Sequence, residues 1–76
     1  MKSNDDYKIL IGLNILKYRR LNGLTQEKLA EKVTATGISR NYMQRIERGG
    51  NCSLDMILEI AKALDIPAKK LFEFDD

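Results

Sequence analysis

Histidine is absent from this 76-residue chain, cysteine and proline occur once each, and aromatic residues make up only 7%. Without histidine there can be no Ser-His or Cys-His nucleophile pair, and the commonest general base is missing. A single cysteine cannot form an internal disulfide, and without histidine it cannot anchor a Cys/His zinc site. That residue, Cys52, stands in a Gly-Gly-Asn-Cys-Ser stretch. A small packed residue is expected there, since a reactive thiolate needs a specific electropositive setting. Long apolar runs are also missing: the patch from Ile9 to Leu16 contains Gly12 and Asn14 and is too short to span a bilayer. The opening residues, Met1-Lys2-Ser3-Asn4-Asp5-Asp6, are acidic where a secretory leader is basic, so a cytoplasmic protein off the membrane is expected. These absences point away from an enzyme and imply no metal and no cofactor.

What is present fits one small globule. The length allows a single domain over 1–76, with a core large enough to anchor helices and little room for a catalytic cavity. Hydrophobic content of 43% beside 32% charged residues argues against disorder. The net charge of +2 says little by itself; its distribution says more. Arg40, Arg45 and Arg48 fall in one segment, while acids gather at the ends as Asp5, Asp6, Glu73, Asp75 and Asp76. A local basic patch on a near-neutral body suits a polyanionic partner.

Sustained β-branched alternation is lacking, and the apolar spacing is helical throughout. Helix 1 is expected from near Asp5 or Asp6 to about Asn22, with Gly23 ending it and Ile11, Ile15 and Tyr18 on one face. Thr25 is placed to cap helix 2, with Leu29 and Val33 inward and only half a capping box, because Lys28 stands where an acid or amide completes it. Residues 34–37 read as a loop. Ser39 caps helix 3, whose Tyr42, Met43 and Ile46 can turn towards the core before Gly49-Gly50-Asn51 stops it. Ser53 caps helix 4, with Leu54, Ile57, Leu58, Ala61 and Leu64 as its inward face. Pro67 opens a short fifth helix through Phe72. The expected class is all-α with five helices.

Two of these segments carry the chemistry. Leu24-Thr25-Gln26-Glu27-Lys28-Leu29-Ala30 is a short capped helix; Ser39-Arg40-Asn41-Tyr42-Met43-Gln44-Arg45-Ile46-Glu47-Arg48-Gly49 is a polar, arginine-bearing one. A buttressing helix, a turn and such a second helix compose a helix-turn-helix reader of DNA. Arginine can donate two hydrogen bonds to guanine, and asparagine or glutamine can pair in the same way with adenine. Helix N-termini offer free backbone N–H groups to phosphates.

The ordered set Leu24-Thr25-Gln26-Glu27-x-Leu29-Ala30, Ile38-Ser39-Arg40, Ile46-Glu47-Arg48-Gly49, Ser53-Leu54 and Leu64-x-Ile66 with Leu71-Phe72 resembles the Cro/C1-type (XRE) helix-turn-helix family over about residues 9–72. Ile11-Gly12 with Ile15 and Arg19 resembles its first helix. The resemblance implies a lambda-repressor-like five-helix fold and a transcriptional regulator that binds double-stranded operator DNA as a homodimer, with helix 3 in the major groove. It implies that Ser39, Arg40, Asn41, Gln44 and Arg45 read bases. Thr25, Gln26, Arg48, Gly50 and Asn51 are implied to bind phosphates, and Arg19 and Glu47 to form a structural ion pair. It also favours the last two helices for the dimer interface, which places Met56, Ile60 and Phe72 first.

Two features depart from that pattern. The family joins helices 2 and 3 by a short turn, whereas this chain holds about three extra residues between Val33 and Ser39. Helix 1 is apolar on both sides, because Ile9, Leu13 and Leu16 lie nearly opposite Ile11, Ile15 and Tyr18. Either the C-terminal tail with Phe74 covers that second stripe, or Leu13 and Leu16 meet a partner. An antitoxin-like or adaptor module that uses the same fold to bind protein is the competing reading. An adaptor has no need of forked base readers on helix 3.

Overall fold

The computed structural model describes residues 1–33 and 38–75. Four α-helices and one 3-10 helix follow in order: α1 (Asn4–Leu21), α2 (Gln26–Lys32), α3 (Arg40–Glu47), α4 (Leu54–Ala63) and the 3-10 helix Ala68–Phe72. Strands are absent among the described residues. The expected loop at residues 34–37, and with it the length of the turn between α2 and α3, lies outside the described residues.

Each α-helix starts on a hydroxyl. Ser3, Thr25, Ser39 and Ser53 accept from the backbone N–H of Asp6, Lys28, Tyr42 and Met56. Each such cap satisfies an otherwise orphaned donor and contributes about 1 kcal/mol. α1 begins earlier than the acids at positions 5 and 6 suggest, because Ser3 forms a full capping box with Asp6, whose carboxylate accepts the Ser3 N–H at 3.0 Å. At the other end Asn22 caps α1, and Gly23 takes a φ of 68° that a residue with a side chain adopts at a cost.

The core gathers Ile15, Leu29, Ala30, Val33, Met43, Ile46, Met56, Ile57, Ile60, Ala61, Leu64 and Leu71, with Ile11, Tyr18 and Tyr42 packed at its edge. α4 differs from expectation. Leu54 is 62% exposed and Leu58 only half-buried, while Met56 and Ile60 are buried. Ile57, Ala61 and Leu64 are buried as expected, but α4 is apolar around most of its circumference, and packing turns the buried face towards Met56 and Ile60 and away from Leu54 and Leu58. Four α-helices stand where five helices were expected, because the short last one is 3-10: Pro67 brings no N–H, and Lys70 N–H bonds the Pro67 carbonyl three residues back at 3.0 Å.

Of the two ways to cover the Ile9, Leu13 and Leu16 stripe, the tail is not the one taken, although it does fold back on α1. Asn14 donates to the carbonyls of Leu71 and Glu73, each at 3.0 Å, and the Phe74 ring lies 5.4 Å from that of Tyr7. Ile9 and Leu13 stay 46% and 50% exposed.

α1 and α3 cross in direct backbone contact at Gly12. A Cβ there would lie 2.5 Å from the Glu47 carbonyl oxygen and 2.7 Å from that of Ile46. Both obstacles are main chain, so neither can swing aside. Gly12→Ala is expected to destabilise the fold by about 1–3 kcal/mol, despite the better helix propensity of alanine. Chemical denaturation of the two proteins measures the difference; an unchanged midpoint would contradict the close crossing.

Candidate nucleic-acid interface

α3 separates its two faces cleanly. Met43, Ile46 and Glu47 are buried, whereas Arg40, Asn41 and Arg45 are exposed and Gln44 is half-buried. At 100° per residue, Arg40, Asn41, Gln44, Arg45 and the cap residue Arg48 share an arc of about 140°. The sequence-predicted readers therefore lie on one outward surface. Arg45 is partly ordered there, its guanidinium 5.7 Å from the centre of the Tyr42 ring. Ser39, at the start of α3, is exposed and spends an oxygen lone pair on capping it.

The angle of α3 is fixed from behind by Glu47. Its carboxylate accepts Arg19 Nε at 2.7 Å and Arg19 Nη2 at 3.1 Å, a bidentate pair with side chains only 11% and 4% exposed. Gln26 Nε2 donates to the same carboxylate at 3.0 Å, and Arg19 Nη1 donates to the Leu24 carbonyl at 2.8 Å. One buried anion thus ties α1, the start of α2 and the end of α3. None of the buried side-chain polar atoms among the described residues lacks a partner. Gln26, expected at a phosphate, has this second duty, which no local sequence pattern announces. Its side-chain oxygen, and the Thr25 hydroxyl hydrogen beyond the cap that Thr25 makes to Lys28, are left for a ligand. Arg19, Thr25, Gln26, Glu27 and Arg40 line an open groove of about 370 Å³ beside that point.

At the far end of α3 the backbone closes on its own carbonyls. Gly50 N–H bonds the Arg45 carbonyl at 2.8 Å and Gly49 N–H that of Ile46 at 3.0 Å, closing the helix. The Gly50 N–H is therefore already engaged within the chain. Asn51 and the exposed Arg48 remain, and Asn51 has a partner that sequence reasoning missed: Lys8 Nζ donates to its Oδ1 at 2.7 Å across 43 positions of chain.

The dimer candidates divide. Met56 is 6% exposed and Ile60 0%, so both belong to the core of the single chain and cannot present a free surface. Phe72 and Leu13 are exposed, and Leu16 is half-buried beside Leu13 in an open groove of about 430 Å³ that Lys17, Arg20 and Leu21 complete. Cys52 is half-buried, and burial pushes its thiol above the ordinary value, an effect opposed by a hydrogen bond with Tyr42. No helix among the described residues is long and apolar enough to cross a membrane.

Comparison with known proteins agrees with this geometry. Residues 15–71 match the family model described as helix-turn-helix. Control protein C.SmaI of Serratia marcescens is 37% identical over 67 residues, covering 87% of this chain and 76% of its own. Control protein C.BamHI of Bacillus amyloliquefaciens is 36% identical over 72 residues, covering 92% and 85%. The crystal structure of the restriction-modification controller protein C.AhdI from Aeromonas hydrophila superposes with a TM-score of 0.84 at 36% identity, covering 93% of this chain and 100% of its own. The chain belongs to the XRE-type helix-turn-helix family of DNA-binding transcriptional regulators.

The buried bridge makes a quantitative prediction. Arg19→Met or Glu47→Met alone strands a desolvated charge and is expected to cost about 3–5 kcal/mol. The double substitution should cost less than the sum of the two, with a coupling of about 1 kcal/mol or more in a urea-unfolding cycle. Strict additivity would contradict the bridge.

Proposed function

We propose that this chain is a sequence-specific regulator of the small controller type, acting on operator DNA as a two-fold dimer with α3 in the major groove. The observation that carries this reading is the outward arc of Arg40, Asn41, Gln44 and Arg45, ended by Arg48, on a helix whose other face is locked into the core. The first four supply forked donors and acceptors for base edges, and Ser39 sits beside them at the helix start. Thr25, Gln26, Arg48 and Asn51 flank the arc and would hold the sugar-phosphate backbone. The relatives named as control proteins favour a controller over a general repressor. The uncovered Leu13–Leu16 groove is the one feature that favours a protein-binding adaptor instead.

Binding to a site selected from random duplexes should exceed binding to scrambled DNA and fall steeply with salt. Arg40→Ala and Arg45→Ala are each expected to cost about 1–3 kcal/mol on the selected site and relax preference at one base pair. Arg48→Ala should weaken both duplexes alike and reduce the salt slope by about one. Equal affinity for selected and scrambled DNA would overturn the reading.

For a dimer reading half-sites ~34 Å apart, Phe72 is the first surface to test and Leu13 with Leu16 the second. Phe72→Glu is expected to shift sedimentation from dimer to monomer with the fold intact. Met56→Glu and Ile60→Glu should unfold the chain instead, because each buries a charge in the core. A wild type that stays monomeric at high concentration and binds one chain per site would contradict the dimer.

A further inference from the structure

Lys8, Gly12, Ile15 and Arg19 follow i, i+4, i+7, i+11 spacing and form one stripe of α1. Three contacts show that this stripe faces α3: Arg19 on Glu47, Gly12 against the Ile46 and Glu47 carbonyls, and Lys8 on Asn51. Lys8 is thus the far end of the same contact, over the chain that leaves the recognition helix. Its stem lines a small crevice with Ile11, Ile46, Gly50, Cys52 and Ile57, so the ammonium is carried on an aliphatic chain that is itself packed. Next to it Ile9 closes on Gly49, where a Cβ would come within 2.7 Å of Ile9 Cγ1 and 3.1 Å of its Cα. Two successive residues of α1 therefore hold the segment 49–51 in place.

The unspent side-chain groups at this point are mainly donors. The 2.7 Å bond uses one Lys8 hydrogen and the Asn51 side-chain oxygen. Two Lys8 N–H groups and the Asn51 amide N–H₂ have no partner among the described residues, nor does the Asn51 backbone N–H. No carboxylate among the described residues pairs with Lys8. A fixed cation with neighbouring unspent N–H donors and no acid to neutralise it is the chemistry of a phosphodiester contact.

We propose that Lys8 and Asn51 together form a phosphate clamp, so that the DNA-binding surface extends from the helix-turn-helix onto the first turns of α1. This rests on the DNA-reading function proposed above. Lys8 both orients Asn51, by donating to its side-chain oxygen, and adds a positive charge from α1 to those carried by α2 and α3.

The test measures affinity against salt, from roughly 50 to 200 mM, on the selected and the scrambled duplex. Lys8→Gln keeps most of the stem and removes the charge; its salt slope is expected to be smaller in magnitude by about one on both duplexes. Lys8→Arg should keep the wild-type slope, and thermal melts of both variants report whether the fold is retained. Methylphosphonate replacement of single phosphates should then locate one position whose neutralisation weakens the wild type but leaves Lys8→Gln unaffected. A Lys8→Gln protein with the full wild-type slope, even at reduced affinity, would show that Lys8 is a strut for Asn51 and overturn the clamp alone. Wild-type binding that is absent or independent of salt would overturn the DNA-reading function and the clamp with it.

Discussion

A carboxylate taken out of water must be met by hydrogen bonds, or the helix that carries it does not fold where it does. Glu47 ends α3 with its side chain buried, and its partners come from elsewhere: Arg19 on α1 in a bidentate pair and Gln26 at the start of α2. Because the guanidinium is planar and fork-shaped, it fixes direction as well as distance. The arrangement is weak ground for large net stability, since desolvation offsets most of the attraction. Its effect is geometric. It sets where α3 stands relative to the two helices beneath it, and so where Arg40, Asn41, Gln44 and Arg45 point.

The rest of the interface follows from that placement. Gly12 allows α1 to approach the α3 backbone, which brings Arg19 within reach of Glu47 at one end and Lys8 within reach of Asn51 at the other. The Gly49 and Gly50 amides close α3 on its own carbonyls, leaving Asn51 as the first residue beyond the helix with unspent donors. α3 and the loop that follows it are therefore held by one stripe of α1, and a change on that stripe should act on both.

The features legible in the sequence were those with short-range causes. Thr25, Ser39 and Ser53 could be read as caps because each bond spans three residues. Ser3 was missed because Asp5 and Asp6 also favour a helix start. The outward arc of α3 was legible from its polar spacing. The inward face of α4 was legible at Ile57, Ala61 and Leu64 but not at its edge, since Leu54 and Leu58 match helical spacing as well as Met56 and Ile60, and only the packing of the other helices separates them. The Gln26–Glu47 and Lys8–Asn51 bonds join residues 21 and 43 positions apart, beyond any local signal. The register of Lys8 with Gly12, Ile15 and Arg19 was the clue that could have found the second. The tail went to the Tyr7–Asn14 side of α1 because Asn14 can satisfy two carbonyls there, which Leu13 cannot.

The account stands on the claim that the outer face of α3 and its two flanks meet DNA. Amide chemical-shift mapping of isotope-labelled protein, titrated with its selected duplex, tests that claim most directly. The predicted result is a continuous set of shifted signals at Gln26, from Ser39 to Arg45, from Arg48 to Asn51 and at Lys8, with Leu13, Leu16 and Leu21 little changed. Shifts confined to the leucine face of α1, with the α3 signals still, would contradict it.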